Sequence, residues 1–346
     1  MNGVAPLAHP RSAVLLAIGA SRDLGERIAR RVAIPLIDYH EEIFADGERK
    51  IGPAEDVAGR TVLALHSLHA RQEDETGGIG DQLLRLLLLI GALKDAGAAR
   101  VIALTPYLAL ARQDRRTANG EPVSSRYVAI LLQAMGIDAI AALDVHNVSA
   151  FENAFSCPSR ALSAVPLFVG HFAVQLRGRA SDQVDDDAKD RPILVLSPDA
   201  GGIKRARGFQ QRLAGALERP VELGLMDKRR DGDGETFAGT AEGAIAIIID
   251  DMISGGTTLA RAAAACRRRG AHQVHAAVTH AVLAPGADKR LGDADLDSLV
   301  VSDSIPDAAR RCPTLGDRLR VLDCSDRFAG LLLPVEKAPA LGSARR

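Results

Sequence analysis

Short, continuous apolar runs recur along the chain. They read "AVLLAIG" from Ala13, "TVLALHSL" from Thr61, "RVIALTP" from Arg100, "AIAALDVH" from Ala139, "PILVLSPD" from Pro192, "VELGLMD" from Val221, "AIAIIIDD" from Ala244, "VHAAVTHA" from Val274 and "SLVVSDS" from Ser298. Runs of this length without alternation predict strands covered on both faces, hence parallel sheets flanked by helices. Between them, "GDQLLRLLLLIGALKDAG", "PVSSRYVAILLQAMG" and "TTLARAAAACRRRG" have helical spacing and stop at glycine, as helix C-termini do. The pattern predicts an α/β protein.

A weak internal echo points to two related α/β halves. "VIALTP" at Val101 and "ILVLSP" at Ile193 each end a strand in hydroxyl-Pro, and each is followed by a strand ending in Asp, at Asp144 and Asp250. The polar, acidic segment from Arg177 to Pro192 has no periodicity and is expected as a surface loop near the domain junction. Tails are expected up to about Arg11 and after about Lys337.

With 346 residues and 47% hydrophobic content, the chain can build two ordinary domains, each with its own core. The formal net charge of -1 excludes a global field for nucleic acid or a membrane, yet basic residues cluster in "ARQDRR", "IKRAR", "DKRR" and "CRRRG". Such local cationic sites suit small anions. Cys157, Cys266, Cys312 and Cys324 lie far apart without a CxxC pair, so neither a zinc site nor a disulfide framework is expected. No secretory leader or membrane span is expected either, and the expected location is the cytoplasm.

The stretch "IIIDDMISGGTTL", Ile247 to Leu259, drives an apolar strand into two acids, then into a small-residue loop and a helix. Ser254, Gly255, Gly256, Thr257 and Thr258 at a strand-to-helix turn let backbone N–H groups converge on a phosphate, with the helix dipole adding attraction. Asp250 and Asp251 stand where the hydroxyls of an attached sugar would fall, and carboxylates accept hydrogen bonds from vicinal diols. A plain helix cap with tight-turn glycines would leave the paired acids without a reason.

This loop resembles the phosphoribosyl-diphosphate loop of type I phosphoribosyltransferases and of ribose-phosphate diphosphokinases. "FADGE" (Phe44 to Glu48), "ARQDRR" (Ala111 to Arg116), "DVH" (Asp144 to His146), "SPDAGGIKRA" (Ser197 to Ala206) and "DKRR" (Asp227 to Arg230) then resemble, in order, the diphosphokinase set, nearly across the whole chain. The resemblance implies two phosphoribosyltransferase-like domains, each a mainly parallel sheet flanked by helices. The expected bounds are 12–163, rejoined by a returning segment 317–336, and 164–316. It implies transfer of the diphosphoryl group of ATP to the 1-hydroxyl of ribose 5-phosphate, with Mg2+ and in homo-oligomers built from dimers. A phosphoribosyltransferase would need only the loop, leaving the other motifs unexplained. A catalytically weak regulatory homologue would be expected to have lost the basic pair or the acids.

Roles follow by the same resemblance. Phe44, Asp46, Glu48, Arg112 and Gln113 are expected to hold ATP: an aromatic ring suits a base, and guanidinium suits polyphosphate. His146 and Asp199 are expected near the metal, His146 by resemblance alone, since a lone strand-end His also serves as a proton acceptor or a structural cap. Asp199, Asp250, Asp251 and residues Ser254 to Thr258 are expected to hold ribose 5-phosphate. Lys228 and Arg230, entering a Gly- and Asp-rich loop, are expected to meet charge developing in the transition state. Lys204 and Arg205 oppose the dipole of a helix start, so an anion or an acidic neighbour is expected beside them. The chain departs from the family at Ser254 and Gly255, where many members have an acid and a Thr, and at Arg160, where an Asp is frequent.

Overall fold

The computed structural model describes residues 7–8, 12–70, 77–177, 191–228 and 235–332. It divides into two compact units. The first comprises residues up to Ser163 with Ser304–Pro306 and the chain from Cys324; the second comprises Ala164–Asp303 and Asp307–Asp323.

The strands of the first unit are β1 (Ala13–Ala17), β2 (Leu36–Ile37), β3 (Tyr39–Ile43), β4 (Arg49–Pro53), β5 (Thr61–Leu65), β6 (Arg100–Thr105), β7 (Ala139–Leu143) and β8 (Ser159–Leu162). Six of them form one sheet in the order β2-β1-β5-β6-β7-β8, parallel throughout. β1, β5 and β7 are buried at every position, as continuous apolar runs between helices must be. β3 and β4 form a separate antiparallel hairpin, with Ile43 opposite Arg49.

The second unit holds β9 (Ile193–Ser197), β10 (Glu222–Lys228), β11 (Glu235–Ala238), β12 (Ile245–Ile253), β13 (Gln273–Ala281), β14 (Ser298–Ser302) and β15 (Leu319–Leu322). Their order is β11-β10-β9-β12-β13-β14-β15, antiparallel only between β10 and β11. Its core joins Leu196, Ile248, Val278 and Val301 of the sheet to Leu259, Ala262 and Cys266 of helix Thr257–Arg268.

Leaving out the antiparallel β11, the two sheets repeat one strand order: β1, β5, β6 and β7 correspond to β9, β12, β13 and β14. The two halves are therefore related in topology, but the sequence echo pairs the wrong strands. "VIALTP" belongs to β6 and "ILVLSP" to β9, which hold non-equivalent places. Shared strand-end chemistry misled because buried strands all look alike in sequence.

The boundary also differs in detail from the expected 317–336 return. Residues 319–322 stay with the second sheet as edge strand β15, paired to β14, whereas Ser304–Pro306 belongs to the first unit. From Cys324 the chain packs on helix Arg22–Val32, where Arg31 bonds Ser325 Oγ at 2.6 Å and Asp326 at 2.8 Å. Most of the expected acidic loop and the C-terminal tail lie outside the described residues. Among the described residues no helix is long and apolar enough to cross a membrane.

Candidate active site

In the second unit β10, β9 and β12 are adjacent and parallel, so their carboxyl ends share one edge, where open α/β sheets bind ligands. Lys228 is the last residue of β10. Arg230 lies outside the described residues. Asp199 follows the last residue of β9, and Asp250 and Asp251 lie within β12, which runs on to Ile253.

Asp251 is buried and Asp250 nearly so. Their partner is Arg205, in the first turn of helix Ile203–Leu217. Its Nη1 lies 3.6 Å from Asp251 Oδ1 and 3.9 Å from Asp250 Oδ1. This acidic neighbour accounts for a cation that the helix dipole alone would disfavour. Burial, then the charge of Asp251, push the Asp250 carboxyl above its ordinary range; Arg205 and the N–H of Asp251, which donates to Asp250 Oδ1 at 2.8 Å, pull against them.

Asp199 closes the turn before the same helix: its Oδ1 accepts from Gly202 N at 2.9 Å, and its carbonyl accepts from Ser197 Oγ at 2.7 Å. A Cβ at Gly202 would come within 2.8 Å of that hydroxyl, so the turn requires glycine.

The Gly-rich loop is held from behind. Leu283 N donates to Ile253 O at 2.9 Å and Ala284 N to Ser254 O at 3.0 Å, and the Arg290 guanidinium donates to Gly255 O. In a planar trans peptide the N–H points opposite to the C=O. The N–H groups of Gly255 and Gly256 are thereby turned away from this support, and no described residue accepts from them. Gly256 sits at φ 77 before helix Thr257–Arg268, and a Cβ there would lie 3.2 Å from Leu291 Cγ. Thr257 and Thr258 are exposed at the helix start. The result is a glycine turn at a helix N-terminus of a kind that can hold an anion, with two carboxylates just before it in the chain.

The first unit carries the remaining expected residues on three segments. "FADGE" is the turn of the β3–β4 hairpin: Phe44 N donates to Glu48 O at 2.9 Å, and Glu48 N to Asp46 Oδ1 at 3.1 Å. This turn leaves the Phe44 ring 43% exposed, available to stack. The hairpin is anchored by Glu41, which accepts from Arg85 Nε at 2.8 Å and Nη2 at 2.5 Å and from Arg49 Nη1 at 2.9 Å. Burial pushes the Glu41 carboxyl up, but the two guanidinium groups outweigh it and hold the group below its ordinary range.

Arg112 and Gln113 lie on the loop after β6, where Gln113 O accepts from Ser125 N at 3.2 Å and Ser125 Oγ at 3.1 Å. Arg112 is exposed. After β7 the chain turns sharply at buried Asp144 (φ 37), whose N–H donates to Leu162 O, and this leaves His146 exposed. Asn147 Nδ2 donates to Asp114 Oδ2 at 2.6 Å, bringing the His146 segment to the Arg112 segment. Sequence reasoning missed this bond, the Glu41 anchor and Arg290; of the partners now found, only Arg205 left a trace, as a cation misplaced on a helix dipole.

Comparison with known proteins gives the family of the chain. Residues 13–136 match the family model for the N-terminal domain of ribose phosphate pyrophosphokinase, and residues 226–330 match the phosphoribosyl synthetase-associated domain. The ribose-phosphate pyrophosphokinase of Hyphomonas neptunium is 34% identical over 299 residues, covering 84% of this chain and 86% of that protein. That of Fusobacterium nucleatum is 32% identical over 314 residues, covering 90% of each. The crystal structure of phosphoribosylpyrophosphate synthetase from Mycobacterium smegmatis is similar with a TM-score of 0.77 at 28% identity, covering 92% of this chain and 97% of that one.

Proposed function

The chain belongs to the ribose-phosphate pyrophosphokinase family, and from that premise we propose how its residues divide the reaction. The enzyme transfers the diphosphoryl group of ATP to the 1-hydroxyl of ribose 5-phosphate, giving phosphoribosyl diphosphate and AMP. What carries the residue assignment is the single edge of the second sheet, where β12 brings its acids and the Gly-rich turn, β9 leads to Asp199 and β10 ends at Lys228.

The cradle of Ser254 to Thr258 takes the 5-phosphate through backbone N–H groups. Asp250 and Asp251 accept from the ribose hydroxyls. Phe44 stacks on the base, Asp46 and Glu48 bond its amino group or ribose, and Arg112 and Gln113 bind the phosphates. Lys228 and Arg230 stabilise charge on the transferring group. Such a step depends on alignment and neutralisation more than on covalent chemistry by the protein.

Mg2+, when bound with the substrates, would supply charge neutralisation at the phosphates. It is ordinarily held by one or two carboxylates, substrate phosphates and water rather than by an all-protein cage. The donor set suits that mode: no group of three ligating side chains occurs among the described residues, and Asp199 uses only Oδ1 in its turn. Asp199 would hold the ion, with His146 beside the ATP phosphates. The free cysteines fit a reducing cytoplasm, and the assembly is a homo-oligomer built from dimers.

Phosphorus NMR with Mg2+, ATP and ribose 5-phosphate tests the reaction: AMP and a new sugar diphosphate are expected, and ADP would reject diphosphoryl transfer. Lys228→Ala tests the assignment. ATP binding is expected to persist while turnover nearly disappears, and parent-like turnover would remove Lys228 from the mechanism.

A further inference from the structure

Asn147 uses both ends of its amide between the two loops of the proposed ATP site. Its Oδ1 accepts from Ala150 N at 3.2 Å, capping helix Val148–Ala154. Its Nδ2 donates to Asp114 Oδ2 at 2.6 Å. Asp114 directly follows Gln113, and Asn147 directly follows His146. One hydrogen bond therefore ties the segment bearing Arg112 and Gln113 to the segment bearing His146.

The surroundings make this bond matter. Both segments line one small, mostly apolar pocket with Leu108, Ala111, Val145, Phe151 and Phe155. On its other side the Arg112 loop is fastened by Ser125 to Gln113 O. The Asp114 end faces Asn147, and a carboxylate acceptor makes that bond stronger than a neutral pair would be. Capping alone does not explain the choice of residue: Ser, Thr and Asp cap comparably, whereas the amide caps through Oδ1 and offers a separate donor, Nδ2, to Asp114.

We propose that Asn147 is a positioning residue for the ATP half of the reaction, its amide holding Arg112, Gln113 and His146 in one arrangement through Asp114. The inference rests on the assignment of those three residues to ATP. Asn147 itself touches no substrate in this scheme.

Cap-preserving substitutions isolate the bond. Asn147→Ser keeps an acceptor for the helix and replaces the amide donor with a hydroxyl on a shorter side chain, while Asn147→Asp removes the donor and sets a like charge against Asp114. The KM for ATP is expected to rise about fivefold in Asn147→Ser and further in Asn147→Asp. The KM for ribose 5-phosphate and the thermal midpoint stay near the parent's. Combining Asn147→Asp with Asp114→Asn exchanges carboxylate and amide, so the bond re-forms in the opposite direction and the KM for ATP falls back toward the parent value.

A parent-like KM for ATP in Asn147→Asp, or a combined variant no better than Asn147→Asp alone, overturns the proposal. Arg112→Ala, measured alongside, separates the levels. If it raises the KM for ATP while Asn147→Asp does not, the bond alone is rejected. If neither raises it, the ATP assignment falls, and the role of Asn147 with it.

Discussion

Arg205 and Asp251 form the electrostatic centre of the ribose side: Nη1 and Oδ1 are 3.6 Å apart, and both side chains are largely withdrawn from water. Burial and the repulsion between two neighbouring carboxylates at a sheet edge raise Asp250 to about 8, so that the pair shares a proton near neutral pH, and the guanidinium partners the remaining charge. Arg205→Gln is expected to leave the remaining carboxylate charge without its partner and to raise the KM for ribose 5-phosphate by about tenfold or more, since an unpartnered buried charge costs about 3 kcal/mol. Steady-state kinetics with each substrate varied separately checks this. An equal rise in the KM for ATP would contradict a local role.

Gly256 is held at φ 77 with Leu291 behind it. Gly256→Ala places a methyl in the left-handed region and against that side chain, costing about 1–2 kcal/mol. The expected result is a lower thermal midpoint, and a smaller upward shift on adding ribose 5-phosphate, because the displaced turn no longer presents its N–H groups. A full ligand-induced shift in this variant would argue against phosphate binding there.

Glu41 supports the Phe44 hairpin through two guanidinium groups, and Arg85 is itself buried. Glu41→Gln leaves Arg85 without its counter-charge, and a loss of about 3 kcal/mol in unfolding free energy is expected. Chemical denaturation measures it. The KM for ATP should rise with it, while the KM for ribose 5-phosphate holds.

Two buried histidines set the acid limb of stability. Burial pushes His275 down to about 4, and burial together with the charge of Arg85 pushes His66 down to about 3. Both stay neutral when folded, whereas the unfolded chain protonates them below about 6.5. Their contribution is therefore complete above that pH and declines as pH falls toward 4. At pH 5 each removes about 2 kcal/mol of stability relative to pH 7.5. His275→Asn, whose amide nitrogen takes the place of the Nδ1 that bonds Ser298 Oγ, is expected to flatten its share of the slope in denaturation curves at the two pH values.

Much of the fold is legible along the chain because burial on both faces writes itself as uninterrupted apolar runs, and each such run is a strand in the structure. The chemistry at the strand ends is legible for a related reason: acids and glycines directly after a buried run are costly unless a ligand or a partner uses them. Strands β2, β8 and β15 carry no such mark. They are two to four residues long and lie at or beside the sheet edges, where pairing with a neighbour, not their own composition, makes them strands. The β3–β4 hairpin is equally mixed in polarity and owes its place to Glu41 and Arg85, which are 44 residues apart.

By itself, then, the sequence determined the α/β class, the places of the principal strands along the chain and the motifs at their ends, all of which are local patterns of burial and turn geometry. Only the tertiary structure decided that Arg205 belongs to Asp250 and Asp251, that Asn147 reaches Asp114, and that Ser304–Pro306 returns to the first unit while β15 remains with the second. Those are pairings between distant positions, fixed by strand order and close packing, and a side chain's spacing along the chain does not specify which partner will neutralise it.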